Sequence, residues 1–244
     1  MIAKNEVTII MYHYVRDLKH SRYPEIKGLD IKDFKGQINY LKTHYHFITM
    51  EMLIDSIENN KSLPADSVLL TFDDGYKDHF EYVFPVLDAF KIQGSFYPPA
   101  KAITEQEVLD VNKIHFILAA EKNTKKLINE IFKELDTYRS DFNLESNSYY
   151  FEKLAIPNRF DTGEVIFIKR LLQTELDEKL RKIITRNLFE NCVGLDERSF
   201  SHELYMNVDQ LKCMQRNGMH IGSHGYDHYW LGTLPKKKKK NELL

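Results

Sequence analysis

Residues 68–75 of this chain of 244 residues read VLLTFDDG, and this stretch decides the fold. Val68–Phe72 is apolar except for one threonine, and two aspartates follow it directly. Such a run is typical of a strand that is buried on both faces of a parallel sheet. We therefore predict that Asp73 and Asp74 lie at the carboxyl end of that strand, where α/β proteins carry their chemistry. An Asp-Asp-Gly surface turn is the alternative interpretation of the pair.

Further candidate strands lie on both sides of this stretch. Val7–Met11 is a second continuous apolar run, and Gly94–Tyr97 and Met219–Gly222 are shorter ones. Each is preceded or followed by helical periodicity. A repeated alternation of strand and helix favours an α/β fold in which helices cover a parallel sheet.

Apolar residues at helical spacing predict the covering helices. The residues that define them are Phe34, Ile38 and Leu41; Leu53 and Ile57; and Val86, Leu87 and Phe90. Pro85 suits the first turn of the third helix, because proline lacks only an N–H that would be unpaired there. Asn207 is a candidate N-cap for a helix through Met214, and Asn217-Gly218 is a candidate left-handed stop after it.

Between Lys101 and about Ser201 the sequence changes to long, charged helical periodicity without a clear strand. The predicted helical segments are Val108–Ala120, Thr124–Leu135 and Val165–Phe189, with Tyr138–Asn158 as an irregular connection. We therefore expect a large helical insertion at 101–204, between an N-terminal part at 1–100 and a continuation at 205–244.

Composition excludes some partners and points to a compartment. The formal charge of −2 gives no basic surface for nucleic acid, so a small or neutral partner is expected. Cys192 and Cys213 lack metal-type spacing and are expected to be reduced and buried. The apolar run near the N-terminus is too short for a signal peptide, and no run has the roughly 20 residues of a membrane span. These features predict a cytoplasmic protein.

The second candidate motif is SHGYDH, residues 223–228, which places His224 and His228 four residues apart. On one helical turn two such imidazoles face the same way and can bind one metal ion, although the spacing also occurs by chance on surfaces. With one aspartate they supply three ligands and leave a position for water, as in catalytic zinc sites. A divalent metal would also keep two adjacent aspartates ionised.

The stretches LLTFDDGY and GMHIGSHGYDHYWL resemble the first and second motifs of the polysaccharide deacetylase family, also called carbohydrate esterase family 4 or the NodB-homology domain. MYHYV near the start resembles it too, so the likeness covers roughly 5–100 and 205–234. It implies a distorted (β/α) TIM-like barrel that carries the helical insertion. The family's arginine–tyrosine, aspartate–tryptophan and leucine–histidine motifs find no counterpart in the 16 residues after His228. We therefore expect an incomplete barrel, cut after the second motif.

The resemblance also implies roles. Asp73 would be the general base, and Asp74, His224 and His228 would hold a divalent metal, expected to be zinc. A water on that metal would attack the N-acetyl group of an amino sugar in a polysaccharide or its precursor, with Asp73 taking the proton. The further candidate neighbours are His13, Tyr76 and Ser223, with a core histidine as the alternative for His13. Gly225 stands where the family often has serine or threonine.

Two other functions stay open at this stage. One is a non-catalytic carbohydrate-binding or regulatory remnant that keeps the metal as a structural clip. The other is an amidohydrolase that acts on a non-sugar amide. An incomplete barrel would expose strand edges, which favours a homo-oligomer. Lys236–Lys240 is interpreted as the solvated start of a helix or, alternatively, as the product of a slippage-prone adenine-rich tract in the gene.

Overall fold

A computed structural model describes residues 6–243, and within it the chain forms two compact units. The first unit comprises residues 6–21, 27–107 and 198–243, and the second comprises 22–26 and 108–197. The sequence-based boundaries at 100/101 and 204/205 stay a prediction. All of the candidate site residues belong to the first unit.

The first unit is built on a parallel sheet. Its strands, in chain order, are β1 (Val7–Tyr12), β4 (His46–Phe47), β5 (Ser67–Asp73), β6 (Gly94–Tyr97) and β7 (His220–Ile221). The hydrogen-bonded order is β1-β5-β6-β7, and β4 pairs with the first residues of β5. A separate two-stranded ladder joins β2 (Val15–Arg16) to β3 (Leu29–Asp30). Within residues 6–243 the main sheet is open, with β1 and β7 at its ends, so the predicted α/β fold with an incomplete barrel sheet is confirmed.

Strand β5 is the centre of the sheet, as the VLLTFDDG stretch predicts. It pairs with β1 over Ser67–Phe72 and with β6 over Leu70–Asp73. Phe72 lies between Tyr12 and Phe96 in this register, and its ring stacks on theirs at centroid distances of 5.1 and 4.7 Å. Each stacked pair contributes about 0.5–1.5 kcal/mol beyond burial. Because side chains alternate along a strand, Asp73 points to the opposite face from this aromatic column.

The helices, in chain order, are α1 (Ile31–His44), α2 (Met50–Asn59), α3 (Phe84–Phe90), α4 (Ala100–Thr104), α5 (Asp110–Ala120), α6 (Thr124–Phe142), α7 (Asn147–Leu154), α8 (Gly163–Arg170), α9 (Glu178–Val193), α10 (Glu197–Leu204), α11 (Val208–Arg216) and α12 (Lys236–Leu243). Single π-helical turns at His79–Val83 and Leu171–Glu175 lead into α3 and follow α8. A 3₁₀ turn spans Leu231–Thr233. No helix among the described residues has the length and apolarity needed to cross a membrane.

Most of the predicted helices are confirmed, and so are their end signals. Phe34, Ile38 and Leu41 are all buried on α1. Pro85 lies in the first turn of α3. Asn207 caps α11 in a capping box with Gln210, because each side chain accepts from the other residue's backbone N–H.

Three predictions about the helices are wrong. Val165–Phe189 is not one helical segment, because the chain is extended at Leu176, between the π turn that follows α8 and the start of α9. Ile57 does not lie on the buried face of α2: its side chain is 71% exposed, and Ser56 is buried there instead. Tyr138–Asn158 is not an irregular connection, because α6 continues to Phe142 and α7 occupies much of the remainder. Ser146 starts α7 by accepting from the backbone N–H of Tyr149, a local cap that the long charged pattern concealed.

The second unit holds α5 to α9, and no strand lies among its described residues. Its buried side chains include Ile114, Ile131, Phe167 and Ile184, one from each of four helices. Cys192 on α9 and Cys213 on α11 are free and half-buried rather than fully buried. The helical character of this stretch agrees with the sequence.

Candidate active site

The two aspartates lie where β5 ends. Asp73 is the last residue of β5 and pairs with Tyr97, and the backbone N–H of Asp74 donates to the Tyr97 carbonyl at 3.1 Å. The chain then turns through the left-handed region, with φ of 71° at Asp74 and 67° at Gly75. Aspartate tolerates this region better than most residues, and a Cβ at Gly75 would meet the Cβ of Pro98 at 2.6 Å. The turn therefore requires glycine after the second aspartate.

The histidine segment is held alongside the end of β6. The backbone N–H of Gly222 donates to the Phe96 carbonyl at 2.8 Å, and that of His224 donates to the Pro98 carbonyl at 3.3 Å. A Cβ at Gly222 would lie 2.5 Å from the Tyr97 ring, so this close approach also needs glycine. Because β5 and β7 both flank β6, the two motifs meet at one edge of the sheet.

The loop after His224 is anchored to α4. The N–H groups of Ala100 and Lys101, in the first turn of that helix, donate to the carbonyls of Gly225 and Tyr226, each at 3.0 Å. First-turn N–H groups have no partner inside a helix, so the loop satisfies them. The Lys101 ammonium also lies 3.1 Å from the Asp227 carboxylate, and both side chains are largely buried.

The expected helical turn between His224 and His228 is wrong. Residues 222–230 form an irregular loop, with φ of 80° at Gly225 and 58° at His228. A histidine in the left-handed region is uncommon and persists only where the surroundings determine it. The two imidazoles nevertheless converge, with ring centroids 4.7 Å apart.

Asp74, His224 and His228 form a compact group of possible metal ligands. Oδ1 of Asp74 lies 3.3 Å from Nε2 of His228 and 3.7 Å from Nε2 of His224. One ligand atom from each residue can be chosen so that all lie within 4.8 Å of one another. Tetrahedral zinc with bonds of about 2.0–2.1 Å separates its ligand atoms by about 3.4 Å. The spacing therefore suits a single cation.

A buried oxygen without a partner strengthens this fit. Asp74 is 3% exposed, and its Oδ1 accepts no hydrogen bond. A buried carboxylate oxygen left unpaired is costly, so it requires an explanation. Oδ1 faces the two histidine nitrogens, and a cation between them would satisfy it. The residues present thus fit a divalent metal by position and by donor chemistry.

Tyr76 fixes the orientation of the Asp74 carboxylate. Its hydroxyl donates to Oδ2 of Asp74 at 2.5 Å. The Tyr76 ring is fully buried and stacks on Tyr14 at 4.0 Å and on Tyr205 at 6.2 Å. Burial raises the pKa of Tyr76 well above its usual value, so the hydroxyl remains a donor. Oδ2 is thereby occupied, and Oδ1 is left to face the histidines.

Burial and neighbouring charges set different pKa values for the two aspartates. Burial raises the pKa of Asp73, against the opposing influence of His224 and His13. For Asp74 burial would also raise the pKa, but the His228 imidazole and the Tyr76 hydroxyl outweigh it and hold the pKa below its usual range. Neighbouring acids with pKa values pushed apart are typical of sites that divide base and ligand roles.

The pKa values of the two histidines, His224 and His228, are also shifted in opposite directions. Burial lowers the pKa of His224 and favours the neutral imidazole that binds metals. Burial would lower the pKa of His228 as well, but the Asp74 carboxylate raises it above its usual value.

The three further candidates have different surroundings. Tyr76 contacts Asp74 directly. The side chains of His13 and Ser223 are exposed. The core-histidine alternative for His13 is therefore wrong, but His13 is close enough to influence both aspartates electrostatically.

Two residues near the site carried no recognisable sequence signal. His79 is the fully buried histidine, and its Nε2–H donates to the His13 carbonyl at 2.7 Å. Glu242 lies on the lysine-rich helix α12, is 6% exposed and accepts from the backbone of the histidine loop. Neither residue has a motif, a spacing or an apolar pattern that would mark it.

A family model and relatives of known name both indicate similarity to polysaccharide deacetylases. The family model described as polysaccharide deacetylase matches residues 60–137, which include both aspartates. The poly-β-1,6-N-acetyl-D-glucosamine N-deacetylase of Staphylococcus epidermidis is 25% identical over 232 residues, covering 90% of this chain and 72% of that protein. The protein of the same name from Staphylococcus aureus is 25% identical over 235 residues, with the same coverage.

Solved structures of deacetylases are similar at lower identity. A Streptococcus pyogenes deacetylase in complex with acetate has a TM-score of 0.48 and 12% identity, over 97% of this chain and 64% of that one. A de-N-acetylase from Aggregatibacter actinomycetemcomitans has a TM-score of 0.44 and 18% identity, over 91% of this chain and 55% of that one. The chain thus spans less than two thirds of these structures. The family match and these relatives thus agree with the resemblance of the two motifs to polysaccharide deacetylases, which are hydrolases that act on carbon–nitrogen bonds other than peptide bonds.

Proposed function

We propose that this chain is a metal-dependent hydrolase that removes the N-acetyl group from an amino sugar of a poly-N-acetylglucosamine-type polysaccharide or its precursor. The observation that carries the proposal is the buried, unpaired Oδ1 of Asp74, which faces Nε2 of His224 and His228. The substrate class is supported by the names of the staphylococcal relatives, which act on poly-β-1,6-N-acetyl-D-glucosamine.

Asp74, His224 and His228 hold the cation in this proposal, and zinc suits their nitrogen and oxygen donors. When bound, the cation would supply Lewis-acid chemistry, by making a water more acidic and stabilising negative charge on the acyl oxygen. Tyr76 keeps the Asp74 carboxylate turned toward the histidines through its hydrogen bond. Ligands oriented in this way bind metal more tightly.

Asp73 acts as the general base. It accepts the proton of the water that attacks the acyl carbon and can then deliver it to the departing amine. Its raised pKa moves it toward the range in which a carboxylate both takes up and releases a proton near neutral pH. Asp73 is 9% exposed, so bulk water competes little for the proton.

The test compares the wild-type chain with a His224→Ala, His228→Ala double variant. Metal content and acetate release from β-1,6-linked N-acetylglucosamine oligomers are measured on the same samples. We expect about one metal ion per wild-type chain, lost in the variant together with acetate release. A His20→Ala, His44→Ala double variant is the matched control, because both of these side chains are exposed.

The outcomes separate the alternative functions. Metal without acetate release from any oligomer would contradict the hydrolase and favour a carbohydrate-binding role with a structural metal. Acetate release from small non-sugar amides in preference to the oligomers would favour the amidohydrolase. A wild-type chain that binds no metal would refute the proposed site. The cytoplasmic location and the homo-oligomer stay predictions.

A further inference from the structure

The helix α12 contains a buried acidic residue amid lysines. It reads KKKKKNEL, and Glu242 is buried while the surrounding described side chains of the helix are exposed or half-buried. A carboxylate is almost never buried without a specific partner, because removing its charge from water is costly. The partners of Glu242 therefore indicate what this segment does.

Those partners are backbone N–H groups on either side of His228. Oε1 of Glu242 accepts from Asp227 at 2.9 Å and from Tyr229 at 3.1 Å. Backbone N–H groups two residues apart converge in this way when a turn contains a left-handed residue, and the resulting concavity binds anions. His228 is that left-handed residue, with φ of 58°. The Glu242 carboxylate thus occupies an anion-binding nest whose central residue is a candidate metal ligand.

A second contact joins the same two segments. The backbone carbonyl of Glu242 accepts from the N–H of Tyr226 at 3.0 Å. Carbonyls in the last turn of a helix lack an intrahelical partner, so this bond also satisfies the end of α12. Both the side chain and the backbone of Glu242 therefore hold the loop.

Gly225 makes room for this arrangement. A Cβ at this position would lie 3.0 Å from Oε1 of Glu242, and the φ of 80° disfavours any side chain. The resemblance places serine or threonine here, whose side chain would enter the space that the Glu242 carboxylate uses. Glycine at 225 and glutamate at 242 are thus sterically matched.

We infer that Glu242 is a positioning residue: its carboxylate holds the backbone of residues 226–229 so that the His228 imidazole faces Asp74. The expected effect of Glu242 on metal binding rests on the proposed function. The backbone restraint itself is a property of the chain without metal. A left-handed histidine relaxes readily once its flanking N–H groups lose their acceptor.

The experiment uses the full chain with Glu242→Ala and Glu242→Gln, and Asn241→Ala as the matched control. Asn241 is the preceding residue of α12 and is exposed. Amide hydrogen exchange of residues 225–229 is measured without metal, and the zinc dissociation constant is measured by competition with a chromophoric chelator. We expect Glu242→Ala to speed exchange at Asp227 and Tyr229 at least tenfold and to weaken zinc binding by about 10–100-fold.

Two further readouts distinguish positioning from a general loss of structure. Glu242→Gln retains an acceptor oxygen but not the charge, so its exchange and affinity should fall between those of the wild type and the alanine variant. Added formate, a small carboxylate, should refill the nest in Glu242→Ala and restore slow exchange and zinc affinity. Loss of structure would not respond to formate.

Several results would overturn the inference. The first is that Glu242→Ala has amide exchange rates and a zinc dissociation constant within about twofold of those of Asn241→Ala. The second is that Glu242→Ala exchanges faster but binds zinc as tightly as the wild type. The third is that formate changes neither its exchange rates nor its zinc affinity. If the wild-type chain binds no zinc, the proposed function fails. The backbone restraint is still tested, because it requires slow amide exchange at residues 227 and 229 in the wild type and faster exchange in Glu242→Ala.

Discussion

The hydroxyl of Tyr76 donates a 2.5 Å hydrogen bond to Oδ2 of Asp74, while Oδ1 of the same carboxylate is buried without a partner. One oxygen is therefore fixed, and the other faces His224 and His228. The phenol cannot rotate away, because its ring is packed between two other tyrosines. Metal affinity should therefore depend on a residue that does not itself bind the metal.

Tyr76→Phe should weaken zinc binding by about 10–100-fold, because it removes the donor that orients Asp74 and keeps the ring packing. The zinc dissociation constant is measured by chelator competition. Tyr12→Phe is the matched control: Tyr12 is also buried and loses one hydrogen bond, to Oε1 of Gln37 at 2.9 Å. Its zinc affinity should equal that of the wild type. Equal affinity in the two variants would show that the Tyr76 hydroxyl does not orient the site.

Substitutions of the two adjacent aspartates should have different effects on metal content and on activity. Asp73→Asn should retain zinc and lower the rate constant of deacetylation by about 10²–10⁴, because it removes the base. Asp74→Asn should lose zinc, because an amide oxygen is a weaker ligand than a carboxylate. Metal content and acetate release are measured on both variants. Loss of zinc in Asp73→Asn would reassign Asp73 as a ligand.

Gly75→Ala should destabilise the chain by about 2–4 kcal/mol, through a left-handed φ and a Cβ forced against Pro98. Gly36→Ala is the control, since Gly36 lies in α1 with open space around its Cβ position. It should stabilise the chain by about 0.5–1 kcal/mol. Free energies of unfolding come from urea titration. Equal effects of the two substitutions would contradict the steric requirement at Gly75.

Much of the fold could be predicted because its signals are local. Val68–Phe72 is apolar on both faces, so β5 could be placed within a residue at either end. The burial of Phe34, Ile38 and Leu41 followed from spacing alone. The prediction failed where tertiary packing decides. Ile57 has the spacing of a buried residue but stands at 71% exposure.

The residues of the candidate site could be predicted from the sequence, but their arrangement in space could not. Aspartates after a buried strand and two nearby histidines indicate a metal site by residue type. The loop around His228 donates hydrogen bonds to Glu242 and accepts them from α4, and both partners are remote in sequence. No local pattern encodes such contacts. For the same reason His79, which packs under the site, could not be distinguished from an ordinary surface histidine.

His79 is held neutral in the folded chain. Burial lowers its pKa from 6.5 to about 4. Its Nε2–H donates to the His13 carbonyl, whereas Nδ1 is buried with no partner. Protonation would add a buried N–H donor at Nδ1 with nothing to accept it. The free energy of unfolding should therefore depend on pH through this side chain.

Because the folded-state pKa of His79 lies below its unfolded value, the unfolded chain binds more protons between about pH 6.5 and 4, and stability falls as pH drops through this window. At pH 5 the loss should be roughly 2 kcal/mol, at about 1.36 kcal/mol per pH unit. His79→Gln keeps a donor for the His13 carbonyl and removes the titration. The difference in unfolding free energy between wild type and variant, measured by urea titration in the presence of a chelator, should therefore shrink by about this amount from pH 7.5 to pH 5. His44→Gln, at an exposed position, is the control. A constant difference for His79→Gln as well would mean that His79 accepts a proton in the folded chain as readily as in the unfolded one.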